Sequence, residues 1–299
     1  MRIAYLVAAH RNMDQVARMI RALSAPGDTF FVHVDARADR KAGRNLLSDL
    51  MKSVGSGSDV RAVKRHRVRW GHWSQVRATL EAIKAVVDSG SGFDRVAFLS
   101  GQDYPIKSRA YIREFLTCHP REEFIESFSL VAPNRWSQWG DWYSSKSRTR
   151  YWHWHLGLRN HWLHIPIQRK VALGMTPHGG SNWWCLTGSA VEYVHEFTAR
   201  HPQVSRYFRH AFLPDEFFFQ TILANSAFAS RITGDNLTLT DSSSPTGPWP
   251  TVFDSRWLPT LLASPKLFAR KFDAAYDATV LDRLDEMLLS KAAAEPLTA

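Results

Sequence analysis

Cysteine is nearly absent: Cys118 and Cys185 are the only two in 299 residues and lie far apart. No disulfide framework and no clustered thiolate metal site is encoded, and a reducing compartment fits. No stretch reaches the roughly 18 to 20 apolar residues that a membrane-spanning helix needs. The short apolar run in MRIAYLVAAHRN is followed by His10, Arg11 and Asn12 rather than a small-residue cleavage site, so it reads as a buried first strand and not a signal peptide. No internal repeat is present. No pair of aspartates stands in D-x-D spacing, and VHEFTARH places Ala199 where a zinc H-E-x-x-H motif needs its second histidine. A metal site is not expected. Acidic residues are outnumbered: 28 Asp and Glu face 38 Lys and Arg, a net charge of +10, which points to an anionic partner.

What is present has a regular order. Ile3 to Ala9 is an apolar run, and Asn12 is placed to cap a helix carrying Val16, Met19, Ile20 and Leu23. FFVHVD (30–35) and RVAFLS (95–100) repeat the strand pattern. Ser74 and Ser108 are expected to cap two further amphipathic helices, one with Val76, Leu80, Ile83 and Val87, the other with Ile112, Phe115 and Leu116. This alternation predicts an α/β fold with a mostly parallel central sheet and helices on both faces, in one domain spanning 1–299. Ligands of such sheets bind beyond the carboxyl ends of the strands, where His10, Arg11, Asp35, Arg37, Gln102 and Asp103 fall. Residues 134–178 lose periodicity and read as an irregular aromatic and basic insertion. A C-terminal helix is expected at about 272–290, on Tyr276, Val280, Leu284, Met287 and Leu288.

LPDEFFFQTILANS (213–226) carries the most chemistry. Pro214 suits a first helical turn, which would put Asp215 and Glu216 at the positive end of a helix. Acids there are ordinary capping charges, and equally suit a base on a rigid element. The segments AYLVAAHRN, FVHVDAR, VRWGHWSQV, FLSGQDYPIKS, GGSNWWCLTGSAVEYV, LPDEFFFQTILANS and LFARKFD, in this order, resemble the core-2 β-1,6-N-acetylglucosaminyltransferases and peptide O-xylosyltransferases of glycosyltransferase family 14.

That resemblance implies a GT-A-type fold and inverting transfer from a UDP-sugar, with no essential metal and no further cofactor. It carries the base to Glu216 and a diphosphate-binding lysine to Lys271. The lysine's arginine partner is Arg256 or Arg270, because DSSSPTGPWPTVFDSRW departs from the family pattern. Asp35 and Arg37 match uracil-reading positions, with Ala8 and His10 bordering the nucleotide. Asn182, Trp183 and Trp184 match a segment contacting donor sugar or acceptor. Trp70, Asp103 and Asp215 join that group, Trp70 as a pocket wall or equally as a core residue.

GlcNAc is preferred over xylose as the sugar moved. The expected acceptor is an oligosaccharide or lipid-linked glycan of bacterial glycan synthesis, and the location cytoplasmic, with peripheral contact to an anionic membrane on its inner face. The rival reading, a non-catalytic nucleic-acid-binding protein, rests on the basic stretch RAVKRHRVRW (61–70). No nucleic-acid module frames that stretch, and no nucleic-acid partner is expected.

Overall fold

The computed structural model describes residues 1–131, 133–134, 136, 149–158, 161–243 and 250–294. The chain forms two compact units, one of residues Met1–Val63, Phe93–Pro120 and Leu237–Ala299, the other of Lys64–Gly92 and Arg121–Asn236.

The first unit is built on parallel strands. Ile3–Ala9 pairs in parallel with Thr29–Val34 on one side and Arg95–Ser100 on the other, and Thr29–Val34 pairs in parallel with Asp59–Ala62. Ile3–Ala9 is an apolar run because it is covered on both faces: Ile3, Ala4 and Leu6 are fully buried. Helix Met13–Leu23 lays Val16, Met19, Ile20 and Leu23 into the core at 0% exposure, each contributing roughly 1.5 to 3 kcal/mol of burial. These strands and buried helical faces follow the sequence pattern, and the mostly parallel α/β class is the one expected.

Local caps differ from expectation. Asn12 does not cap its helix; it takes a left-handed conformation (φ 51°), and its amide donates to Asp273 Oδ1 at 2.8 Å. Ser74 lies inside helix Trp73–Asp88, where its hydroxyl accepts from the Arg69 N–H instead. Ser108 caps as expected, accepting from the Tyr111 N–H at 3.2 Å. The last helix is Thr279–Ala294, later than 272–290, because the Asp277 side chain caps Thr279 and leaves Tyr276 outside, 63% exposed.

A smaller sheet positions the basic residues. Phe268–Arg270 runs parallel to Thr238–Thr240 and antiparallel to Asp103–Pro105, in a register that sets Arg270 opposite Asp103.

The second unit packs around aromatic side chains. Phe217, Phe218 and Tyr151 are fully buried, and Phe218 meets Phe208 and Trp73 edge-on at 5.1 and 5.3 Å. Strand Trp184–Thr187 pairs antiparallel with Phe124–Ile125 and leads into helix Gly188–Arg200. The stretch read as irregular contains an antiparallel hairpin, His153–Leu158 with His161–Gln168. Residues 137–148 of that stretch lie outside the described residues.

Candidate active site

The site residues expected from sequence fall into two groups, one in each unit. In the second unit, Glu216 does not open an α-helix. Pro214–Glu216 is a single 3-10 turn, and Phe217 (φ −133°) separates it from helix Phe218–Ala224, so the helix-dipole placement is corrected. The turn is held through its backbone instead. Leu213, itself left-handed at φ 54°, donates from N–H to the Gly71 carbonyl at 3.0 Å, and the Gly180 N–H donates to the Glu216 carbonyl at 2.9 Å. Gly180 has no room for a side chain: a Cβ there would stand 1.9 Å from the Glu126 carbonyl oxygen.

The two adjacent acids have opposite environments. Asp215 is 5% exposed; its Oδ2 accepts from Gln75 Nε2 at 3.0 Å, and burial pushes its pKa up to about 6, with the Arg150 charge opposing. Glu216 keeps 31% of its side chain exposed, and its Oε2 lies 3.5 Å from Arg150 Nη1. Arg150 is fixed in turn, its guanidinium over the Phe212 ring at 5.4 Å and its carbonyl accepting from the Phe212 N–H. Trp70 meets Phe212 edge-on at 6.1 Å and is 73% exposed, which removes the core reading for this indole. An open aromatic face beside the Glu216 turn is suited to stacking on a sugar ring.

Trp184 is 1% exposed and packs on Phe219 at 5.6 Å, so it offers no face to a sugar; Trp183 is 9% exposed. Asn182 is partly buried, between Ser181 and Trp183, and Ser181 is tied by its N–H to Glu126 Oε2 at 2.8 Å.

In the first unit, the structure gathers a cationic cluster. Asp103 is fully buried; its carboxylate accepts from the Ser100 N–H and hydroxyl at 2.7 and 2.8 Å and faces Arg270 Nε at 3.4 Å. Burial raises the Asp103 pKa, and Arg270 and Ser100 oppose it. It anchors Arg270 rather than presenting a carboxylate to ligand. Lys271 follows directly, half-buried, and its pKa is lowered by burial and then by the neighbouring Arg270 and Arg11 charges. An anion placed among these groups would relieve that repulsion.

The Lys271 backbone is held on both sides, its N–H donating to the Thr251 carbonyl and its carbonyl accepting from the Phe253 N–H at 2.8 Å. Gln15, buried on the first helix, donates to the Gly101 and Phe272 carbonyls at 3.0 and 3.1 Å and tethers the same segment. Arg256 stands apart, 83% exposed and paired with Asp254 at 2.6 Å.

Asp35 follows strand Thr29–Val34, its N–H donating to the Ala9 carbonyl, and its carboxylate accepts from the Arg37 N–H and guanidinium at 2.9 and 3.1 Å. Ala8 lies in the adjacent strand, and His10 is exposed just past it. Among the described residues no three His, Cys, Asp or Glu side chains gather as a metal-binding group. No helix of the described residues is long and apolar enough to cross a membrane.

Arg150, Gln75 and Gln15 escaped sequence reading. Each acts across 66 to 259 residues of chain, a separation over which no local spacing gives a signal.

The family model for Core-2/I-Branching enzymes matches residues 3–265. The chain is 28% identical over 314 residues to "Xylosyltransferase oxt" of Drosophila melanogaster, covering 96% of this chain and 33% of that protein. It is 26% identical over 309 residues to "Xylosyltransferase 2" of Homo sapiens, covering 95% and 33%, and "Xylosyltransferase 2" of Rattus norvegicus matches to the same extent. The chain thus spans about a third of the length of the curated relatives it matches. With a single family model running through nearly all of its elements, from the first buried strand to the segment before Phe268–Arg270, the chain belongs to the Core-2/I-Branching enzyme family.

Proposed function

We propose that the chain is an inverting glycosyltransferase that moves a sugar from a UDP-sugar to an acceptor hydroxyl, with Glu216 as base. The observation that carries this reading is the contrast between neighbours: Asp215 is buried and Glu216 is open beside Arg150, so one carboxylate of the pair is able to meet an acceptor. The base takes the acceptor's proton as the oxygen bonds to the anomeric carbon; the bond from that carbon to the diphosphate oxygen breaks, and its electron pair leaves with UDP. Attack opposite the leaving group gives a β-linkage from an α-linked donor.

The charge gained by the diphosphate needs cations. Lys271 with Arg270 supplies them in this reading, since both sit at the end of one strand with Arg11 near, whereas Arg256 is turned to Asp254. Without a D-x-D motif the clamp is made of side chains, and no metal is required. Asp35, Arg37, Ala8 and His10 take the nucleoside; Trp70 and Asn182 take sugar or acceptor. The names of the relatives bring xylose forward beside GlcNAc as the donor sugar, and the acceptor is an oligosaccharide or lipid-linked glycan.

A panel of UDP-sugars scored by donor hydrolysis tests this without knowledge of the acceptor. Release of UDP from UDP-GlcNAc or UDP-xylose, together with thermal stabilisation by UDP, is expected. Stabilisation by oligonucleotides and none by UDP would sink the reading.

A further inference from the structure

The hairpin His153–Leu158/His161–Gln168 carries a row of exposed apolar side chains. Its register pairs His155 with His164 and Gly157 with Trp162 on one face, and Trp154 with Ile165 and Leu156 with Leu163 on the other. On the histidine face His155 turns inward, whereas His164 opposite it is exposed. His155 is 7% exposed, its ring lies 6.0 Å from Phe212, and Trp162 meets Phe212 and His72 at 5.0 and 4.1 Å. On the apolar face Leu156 is 41% exposed, Leu163 60% and Ile167 61%, with Ile165 partly covered and Trp154, 37% exposed, resting in part on His210 and Arg169. A grouped exposed apolar face of this kind marks an interaction surface.

The hairpin is also firmly mounted. Arg169 is buried beneath it, with its guanidinium 5.5 Å from the Trp154 ring and donating to the Tyr151 carbonyl at 2.6 Å.

Charge identifies the occupant. No Asp or Glu occurs between Asp141 and Glu192, while Arg150, Arg169 and Lys170 fall within that stretch along with three further basic residues. Lys170 is exposed just beyond the hairpin, and Arg209, also exposed, adjoins His210, whose ring lies 4.8 Å from Trp154. An apolar face that includes a tryptophan and is flanked by the exposed Lys170 and Arg209 is complementary to the interface of an anionic bilayer.

We propose that this hairpin face seats the protein on the surface of an anionic phospholipid membrane, with Trp154, Leu156, Leu163 and Ile167 entering the headgroup boundary and Lys170 and Arg209 meeting the headgroups. Seating of this kind needs no spanning helix. It is independent of the glycosyl-transfer reading, since it requires neither donor nor turnover.

The test is co-sedimentation of the full chain with vesicles of phosphatidylcholine containing phosphatidylglycerol, and with phosphatidylcholine alone. The unchanged protein is expected to pellet with the anionic vesicles and at least about tenfold less with the neutral ones. Leu163→Glu/Ile167→Glu is expected to reduce pelleting by a similar factor with an unchanged melting temperature, because both side chains are about three-fifths exposed. A second variant, Lys170→Glu/Arg209→Glu, keeps the apolar face and is expected to lower pelleting at low salt. Absence of pelleting by the unchanged protein would overturn the proposal, as would binding insensitive to both pairs. A concentration-dependent dimer abolished by Leu163→Glu/Ile167→Glu would assign the face to a second copy instead.

Discussion

Arg150 Nη1 stands 3.5 Å from Glu216 Oε2, across 66 residues of sequence, and sets a fixed positive charge against the one open carboxylate of an acidic pair. Substituting Arg150→Met keeps an unbranched side chain but removes the guanidinium, and with it the charge and the cation over the Phe212 ring. Turnover is expected to fall about 10- to 100-fold with UDP-induced stabilisation retained. Unchanged turnover, measured by UDP release, would reduce Arg150 to a packing residue.

Asp215 makes a pH-dependent contribution to stability. Its folded pKa, about 6, lies above the ordinary value of 3.8, so between those values the folded state binds more protons than the unfolded one. Stability therefore falls as pH rises from about 4 to 6, by roughly 3 kcal/mol at full effect. Asp215→Asn removes this titration. The variant's melting temperature relative to the unchanged protein is expected to be higher at pH 8 than at pH 4, and a difference constant with pH would contradict the burial assigned to this carboxyl.

Lys271 and Arg256 separate the two versions of the diphosphate clamp. Lys271→Ala is expected to weaken UDP binding about 10- to 100-fold, the scale of one charge-assisted hydrogen bond, and Arg256→Ala less than about threefold. Calorimetric titration with UDP measures both. Equal losses would restore Arg256 as the lysine's partner.

Metal chelation addresses the same chemistry from the other side. Donor hydrolysis is expected to continue undiminished in EDTA, since side chains meet the phosphate charge; strict dependence on Mn²⁺ would contradict this.

The first unit was largely readable because its strands are buried on both faces. Ile3–Ala9 and Arg95–Ser100 are apolar runs ending in polar residues, and the Met13–Leu23 helix shows its buried stripe in plain 3.6-residue spacing. Its cap was not readable, since the Asn12 amide serves Asp273, 261 residues away.

In the second unit, Pro214, Asp215 and Glu216 look locally like the start of an α-helix. Gly71 and Gly180, which hold the turn through main-chain bonds, have no side chain to announce that role. In the sequence Trp183 and Trp184 look alike as sugar-stacking residues; the burial of Trp184 against Phe219, a tertiary contact, is what removes it from that role. The hairpin did leave a signal: HWHLGL and HWLHIPIQ alternate with period two, a pattern masked by the mixing of His and Trp on a face expected to be either polar or apolar.

The most direct test of the account is turnover by Glu216→Gln, measured as UDP release in parallel with UDP binding. The amide keeps the shape of the side chain and cannot accept the acceptor's proton. Turnover lower by about 10² to 10⁴ with UDP affinity intact is the result predicted for a general base; turnover equal to that of the unchanged protein would contradict it.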